Sequence, residues 1–176
     1  MKMKKQIIKA VAAVVCSMSI ATLAQASCVT ATSGGSWQNS SMSPQSGTFT
    51  ATFDATPSAS PDNALIALSN GAQTAYASFS CLVRFNTSGH IDAYNGTAYA
   101  AASTISYSAG TSYHFSVTVN VTAKTYSITV TPAGGSAQTV GTNYAFRASA
   151  TSLNNWGTYV DANGGSGTLQ VCNFTN

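Results

Sequence analysis

The sequence predicts an all-β protein, an antiparallel β-sandwich in one domain. No helical periodicity is sustained after residue 26, and short segments alternate between apolar and small polar residues. Clusters of Gly, Pro, Asn, Asp and Ser separate these segments and predict tight turns. A chain that forms roughly nine to eleven short strands is typical of two packed antiparallel sheets.

Residues 1–26 have the features of a cleaved secretory signal peptide. A lysine-rich start is followed by an apolar run and by the small-residue cleavage pattern Ala24-Gln25-Ala26. We therefore expect a protein that is secreted, periplasmic or on the cell surface, with its β-sandwich domain at residues 27–176. The apolar run is too short to be a stable anchor, so no membrane insertion of the mature chain is expected.

The expected mature domain carries very little charge. Three cations and four anions follow residue 26, namely Arg84, Lys124, Arg147, Asp54, Asp62, Asp92 and Asp161. Phosphate binding requires several clustered cations, so we expect no nucleic-acid partner. The remaining surface must consist of Ser, Thr, Asn, Gly and Ala, as is typical of extracellular proteins.

Three cysteines, Cys28, Cys81 and Cys172, follow residue 26. The ends of a compact domain often lie close together, which favours a disulfide between Cys28 and Cys172. Cys81 lies in an apolar run and is expected to be a buried thiol, and its pairing with one of the two ends is the alternative. No Cys-x-x-Cys motif is present, so a zinc site has no support and no metal ligands are assigned.

The predicted strands follow from the alternation, taken along the chain. The Ser/Thr-rich opening stretch, residues 30–47, is expected to cross the sandwich as an edge strand. The strands after it are predicted at residues 48–53, 64–68, 76–85, 90–94, 113–121, 126–130, 138–141, 156–160 and 169–174.

The strand at residues 113–121 has the clearest alternation. Tyr113 and Phe115 begin an inward face that continues through three valines, whereas His114 takes the opposite side. No carboxylate lies near His114 in the sequence, which weakens any role for it as a general base. We therefore expect His114 to be an outward-facing sheet residue.

Several segments resemble a known family. They are FDATPSASPDNALIALSNG (53–71), RFNTSGHIDAYNG (84–96), TVGTNYAFR (139–147) and LNNWG (153–157). In this order they resemble the concanavalin A-like lectin/glucanase, laminin-G-like β-sandwich modules of secreted bacterial proteins. The resemblance covers most of residues 27–176. It implies a jelly-roll of two curved sheets, whose concave face often meets glycans.

Catalytic signatures of that superfamily are missing from this sequence. Its glucanases use two glutamates on one strand, and this chain contains no glutamate. Similar alginate lyases have an Arg-rich strand and a Gln-x-His strand, and neither motif is readable here. We therefore expect a non-catalytic carbohydrate-binding protein. A structural or adhesive cell-surface protein is the alternative, and a small polysaccharide lyase or hydrolase is a weaker one.

Binding residues are sought among side chains outside the inward-facing pattern. His90, Asp92 and Tyr94 alternate on one short strand and therefore share a face. Tyr94 would stack on a sugar ring while His90 and Asp92 bond its hydroxyls, and Arg84 is a further candidate. Because only Arg84 could add a cation, neutral glycans are favoured over uronates. Asn155 and Trp156 are the next choice, although Trp156 can equally be a core residue.

Calcium is the one cofactor that the sequence leaves open. The loop segments at residues 60–63 and 161–165 offer side-chain oxygens, the ligand type that Ca²⁺ prefers. Neither segment by itself has enough carboxylates to predict a site. The expectation is therefore that the protein needs no cofactor, with Ca²⁺ as the alternative.

Overall fold

The computed structural model describes residues 27–176, which form two six-stranded antiparallel sheets. Sheet A has the strand order β1-β12-β3-β8-β9-β10, and sheet B has the order β2-β11-β4-β5-β6-β7. The strands are β1 (Cys28–Thr32), β2 (Gln38–Gln45), β3 (Thr48–Pro57), β4 (Ala64–Ser69), β5 (Cys81–Phe85), β6 (Ile91–Tyr94), β7 (Tyr99–Ala100), β8 (Tyr113–Asn120), β9 (Thr125–Pro132), β10 (Gln138–Ala145), β11 (Leu153–Val160) and β12 (Thr168–Thr175). The predicted antiparallel sandwich is confirmed. The signal-peptide prediction falls on residues 1–26, outside the described part of the chain.

The core lies between the two sheets and follows the predicted alternation. On β8 the inward residues from Tyr113 to Val119 are all buried, and His114 is exposed. Phe115 connects the sheets, because it stacks on Phe53 of sheet A at 5.1 Å and meets the ring of Phe85 of sheet B edge-on at 5.8 Å. The alternation therefore predicted the inward face of this hairpin correctly.

A disulfide joins Cys28 of β1 to Cys172 of β12, as expected. Cys81 is a buried thiol without a disulfide partner in the described chain, and burial raises its pKa. Disulfides persist in oxidising compartments, so this bond supports a location outside the cytoplasm. Within residues 27–176, no helix has the length and hydropathy that a membrane span requires.

Two predicted elements differ from the structure. The opening stretch forms two edge strands rather than one, with β1 at the edge of sheet A and β2 at the edge of sheet B. The chain turns between them at Gly34, whose φ of 74° suits glycine. Residues 76–85 are not one strand, because a 3₁₀-helix at Tyr76–Ser78 precedes β5. This helix brings Tyr76 and Phe79 against Trp37, a contact that a continued strand would not make.

Candidate functional site on the outer face of sheet B

The outer face of sheet B, which points away from sheet A, carries a second layer of apolar side chains. Leu65 of β4 and Leu82 of β5 lie on this face in a separate buried cluster with Trp37 and Phe79. Strand β4 is therefore buried on both sides, and all six of its residues are buried. A strand covered on both faces reads as a continuous apolar run rather than an alternating one.

Strand register aligns four residues of this face in one row. Tyr159 of β11 pairs with Leu65, Leu65 pairs with Arg84, and Arg84 pairs with Asp92 of β6. Adjacent strands are about 4.8 Å apart, so three steps place Tyr159 and Asp92 roughly 14 Å apart.

Asp92 is buried and engaged in an ion pair. Arg84 donates from Nε to Oδ1 of Asp92 at 2.9 Å and from Nη2 to Oδ2 at 2.8 Å. Asn86 donates a third bond to Oδ2 at 2.8 Å. A paired, bidentate geometry of this kind holds both side chains firmly. The prediction of Asp92 as a free acceptor for sugar hydroxyls is therefore corrected, because its oxygens already accept these three bonds and it is 8% exposed.

Two arginines lie over tyrosine rings of the same face. The Cζ atom of Arg84 is 3.7 Å from the ring centroid of Tyr99, and that of Arg147 is 4.8 Å from the centroid of Tyr94. Arg147 comes from the segment after β10 and was not predicted as a site residue. Its guanidinium covers one side of the Tyr94 ring, which reduces the stacking surface that the sequence assigned to Tyr94.

A polar depression of about 390 Å³ lies beside this ion pair. It is lined by His90, Asp92, Asn86 and Tyr99, among others. The structure thus brings His90 and Asp92 together, with Tyr94 nearby on the same sheet. The Tyr99 hydroxyl is buried and has no hydrogen-bond partner in the described chain. Burial raises the pKa of Tyr99 to about 12, so this phenol is not a base at neutral pH.

An aromatic depression of about 500 Å³ lies at the β11 end of the row. Trp37, Tyr76 and Tyr159 form its aromatic walls. Trp37 stacks with Tyr159 at 5.1 Å, and the ring of Tyr76 meets both of these rings edge-on at 5.7 and 5.8 Å. Tyr76 and Tyr159 are only half-buried, so part of each ring is available to a ligand. The Tyr76 hydroxyl donates to Oδ2 of Asp161 at 3.2 Å.

Gly157 is the reason that Trp37 can lie close to the sheet. A Cβ atom at this position would be 3.2 Å from Trp37 and 3.4 Å from Phe79, tighter than most carbon contacts. Sequence reasoning did not assign Trp37, Tyr76 or Tyr159 to a site. The parity of β11 was an available signal, since Tyr159 must face opposite to its buried neighbour Val160.

The alternative site at Asn155 and Trp156 is corrected by their burial. The two residues are 4% and 6% exposed. Trp156 faces the core and stacks on Phe174 at 4.8 Å, while Asn155 donates to Asn39 at 2.9 Å and to Ser69 at 3.2 Å. These contacts and their burial mean that the two side chains serve packing rather than ligand binding.

His114 has a carboxylate partner that the sequence did not suggest. On the outer face of sheet A, its Nδ1 lies 2.7 Å from Oδ1 of Asp54, and Asn173 donates to Oδ2 of Asp54 at 2.7 Å. Partial burial raises the pKa of Asp54, but the hydrogen bonds from Asn173 and His114 and the charge of His114 together bring it below its ordinary value. Ionised Asp54 therefore stabilises the folded protein.

We expect Asp54 to contribute to stability above about pH 4 and to lose that contribution as the pH falls further. The lowered pKa means that the folded protein holds this carboxylate ionised to lower pH than the unfolded chain does. Urea midpoints of the unmodified protein and of Asp54→Asn should differ at pH 5, and the difference should shrink towards pH 2. A difference that grows on acidification would contradict the assigned direction.

Comparison by sequence gives a partial match to a curated protein. No protein-family model matches the chain. A gellan lyase from Bacillus sp. is 34% identical over 108 residues, which are 60% of this chain and 4% of that protein. The chain therefore spans a small fraction of the curated relative that it matches.

Solved structures with the same architecture include lectins. A sialidase superposes with a TM-score of 0.56 and 11% identity, over 86% of this chain and 15% of the sialidase. Lectin I-B4 from Griffonia simplicifolia gives 0.53 and 10% over 84% and 92% of the two chains. Peanut lectin gives 0.52 and 12% over 87% and 100%. The chain therefore has the concanavalin A-like jelly-roll β-sandwich fold of these lectins.

Proposed function

We propose that this protein is a secreted glycan-binding module that binds an oligosaccharide segment across the outer face of sheet B. The observation that carries the proposal is the row from Tyr159 to Asp92, with an aromatic depression at one end and a polar depression at the other. Apolar and aromatic walls with a few placed polar groups are typical of small-ligand sites.

The two depressions supply different interactions to such a ligand. Tyr159 and Tyr76 offer partly exposed ring faces at the β11 end, where a sugar ring can stack. His90 and Asn86 offer hydrogen-bonding groups at the β6 end. Asp92 lines the polar depression and is already ion-paired with Arg84. The pair therefore fixes the floor of the site, and the ligand does not have to desolvate an unpaired charge there.

Neutral glycans fit the charge of this face best. Two arginines and two aspartates are present there, since Arg147 lies over Tyr94 and Asp161 accepts from Tyr76, in addition to the Arg84–Asp92 pair. The face therefore has no net charge. A polyanionic chain would gain little from it, because attraction to anions requires an excess of cations.

The comparisons support a role with polysaccharides. The fold is shared with lectins, and the curated relative is named for lysis of gellan. Binding without turnover is favoured because two titratable groups of the polar depression are engaged or unsuitable. Asp92 is ion-paired with Arg84, and the pKa of Tyr99 is raised far from neutrality. Structural or adhesive function is the alternative.

A glycan array with the purified protein tests the proposal. It should include neutral glucans, galactans and mannans, together with gellan and other uronate-containing chains. Saturable binding to a neutral glycan is expected, with no release of reducing ends and no gain of unsaturated-uronate absorbance on incubation. Absence of binding to the whole array would favour an adhesive role, and product formation would establish a lyase or hydrolase.

We expect Tyr159→Ala to weaken binding of the glycan identified on the array by about tenfold, equivalent to about 1.4 kcal/mol. The loss arises because the ring that stacks on the sugar is removed. Tyr159→Phe keeps the ring and should bind nearly as tightly as the unmodified protein in isothermal titration. His114→Ala, on the outer face of sheet A, is the matched control and should leave affinity unchanged. Equal affinity of Tyr159→Ala and Tyr159→Phe would place the site elsewhere.

A further inference from the structure

The pair formed by Asp54 and His114 lies on the outer face of sheet A, on the opposite side of the sandwich from the proposed glycan site. Asp54 of β3 is directly paired with His114 of β8, and His114 is directly paired with Thr131 of β9. Directly paired residues of antiparallel strands share a face, so the three side chains form one row. The pairing of β3 with β8 thus gives His114 the carboxylate that its sequence neighbours lack.

The carboxylate of Asp54 is held from both sides. Its Oδ1 lies 2.7 Å from Nδ1 of His114, and its Oδ2 accepts a bond from Asn173 at 2.7 Å. Partial burial alone would raise the pKa of Asp54, but these bonds and the charge of His114 bring it below its ordinary value. Asp54 is therefore an ionised acceptor at neutral pH, and it favours the His114 tautomer that has its proton on Nδ1.

The other ring nitrogen of His114 is left free to accept a proton. The hydrogen bond that the structure gives this ring is made by Nδ1, and no hydroxyl within residues 27–176 bonds to Nε2. The imidazole is also open to solvent, with 53% of the side chain accessible. A carboxylate on one ring nitrogen and a free second nitrogen is the arrangement of a general base.

A depression of about 340 Å³ lies beside this base. Asp54, His114, Ser112 and Thr131 line it, together with the turn at residues 132–135 that follows β9. Neither the Ser112 nor the Thr131 hydroxyl bonds to His114 in the described chain, so water is the nucleophile that this base can activate.

The turn at residues 132–135 adds a hydrogen-bond donor to the same depression. Gly135 donates its backbone N–H to Pro132 O at 2.9 Å and closes the turn. Gly134 has a φ of 73°, which suits glycine, and its N–H has no acceptor among the described residues. A free backbone N–H can stabilise the negative oxygen that develops when a carbonyl is attacked.

We propose that this depression is an ester-hydrolysing site, in which His114 is the general base and Asp54 the residue that positions it. Nε2 of His114 accepts a proton from a water molecule while the water oxygen forms a bond to the ester carbonyl carbon. The N–H of Gly134 donates to the carbonyl oxygen as it becomes negative. The bond from this carbon to the alcohol oxygen then breaks, and the proton on Nε2 passes to the leaving alcohol. One ester and one water thus give one carboxylic acid and one alcohol, and Asp54 stays ionised throughout.

The size and charge of the depression restrict the acyl group. Its volume lies near the lower end of the range for small-molecule pockets, which favours a short acyl group such as acetyl. An anionic acyl group would be repelled by ionised Asp54, so the group is uncharged. Glycoside hydrolysis requires two carboxyl groups, and Asp54 has the one carboxylate among the described residues that line the depression.

Hydrolysis of p-nitrophenyl acetate by the purified protein tests the proposal, with the released nitrophenolate followed by absorbance. The rate should saturate with ester concentration and exceed that of free imidazole at equal concentration by at least about 100-fold. A rate no higher than that of imidazole would overturn the proposal. Acetate release from acetylated xylan in a second assay would identify a polysaccharide ester as a substrate, whereas turnover of the nitrophenyl ester alone would restrict the site to small esters.

His114→Gln should lower kcat/KM by at least about 100-fold, because the general base is lost. Asp54→Asn should lower kcat by at least about tenfold with KM nearly unchanged, because the imidazole is no longer oriented and its charge no longer balanced. A purely structural role of Asp54 would instead lower the melting temperature and leave kcat of the folded protein unchanged, which would overturn its assignment.

Thr118→Ala is the matched control and should retain full activity. Thr118 is on the same face of β8 as His114, but it bonds to Thr50 at 3.1 Å and lies outside the depression. Equal activity of His114→Gln and Thr118→Ala would overturn the proposal. Glycan binding on sheet B should be the same in both variants, so failure of the ester site and failure of the glycan site are distinguishable.

Discussion

Removal of the Cys28–Cys172 disulfide is expected to destabilise the protein by about 5 kcal/mol. The bond closes a loop with a sequence separation of 144 residues, and the loop-entropy model gives a larger effect for longer loops. The bond also ties edge strand β1 to β12, which is its neighbour in sheet A. Without it, β1 is held by one ladder alone and the unfolded chain regains the entropy of its ends.

Urea unfolding with and without a reducing agent measures this effect. The midpoint of the unmodified protein should fall strongly on reduction. The double variant Cys28→Ala/Cys172→Ala should unfold at the lower midpoint and should not respond to the reducing agent, because Cys81 is an unpaired buried thiol. Insensitivity of the unmodified protein, or a peptide map that links Cys81, would contradict this prediction.

Phe115→Ala is expected to cost about 3–5 kcal/mol of unfolding free energy. Phe115 is 0% exposed and lies between the sheets. Its loss leaves a cavity and also removes the contacts with Phe53 and Phe85, which aromatic pairing makes stronger than apolar contact alone. Chemical denaturation should show a lower midpoint with an unchanged slope.

His114→Ala is the control for Phe115→Ala, because the two residues are neighbours on β8. His114 is exposed, with 53% of its side chain accessible, so its replacement should cost less than about 1 kcal/mol. A loss as large as that of Phe115→Ala would mean that the strand faces the other way. The same variant also serves as the binding control, so its stability must be measured before the titrations.

The strands that alternate most regularly were predicted from sequence with nearly correct bounds. Strand β8 was expected at residues 113–121 and runs over Tyr113–Asn120. Strand β4 was predicted as a short apolar strand, and burial on both faces explains its continuous hydrophobicity. Local alternation is a property of the backbone itself, because successive side chains of any strand point to opposite faces.

The candidate site was predicted only in part. His90, Asp92, Tyr94 and Arg84 were assigned from the β5–β6 region, where a hairpin brings nearby residues together. Trp37 and Tyr76 reach the same sheet from connections at distant points of the chain. A connection carries no periodicity that would reveal its side-chain direction. Trp156 illustrates the opposite error, since an exposed role was considered for a ring that the core requires.

The sequence by itself determined the sandwich class, the low charge and the inward faces of the strands. Each of these depends on composition or on a period of two residues, which neighbouring residues already express. Only the tertiary structure decided which strands are neighbours. That choice aligned Tyr159 with Arg84 and Asp92, paired His114 with Asp54, and brought Asp62 beneath the loop at 161–167. Contacts between such distant residues depend on the packing of the whole domain, because no local pattern records the partner of a strand.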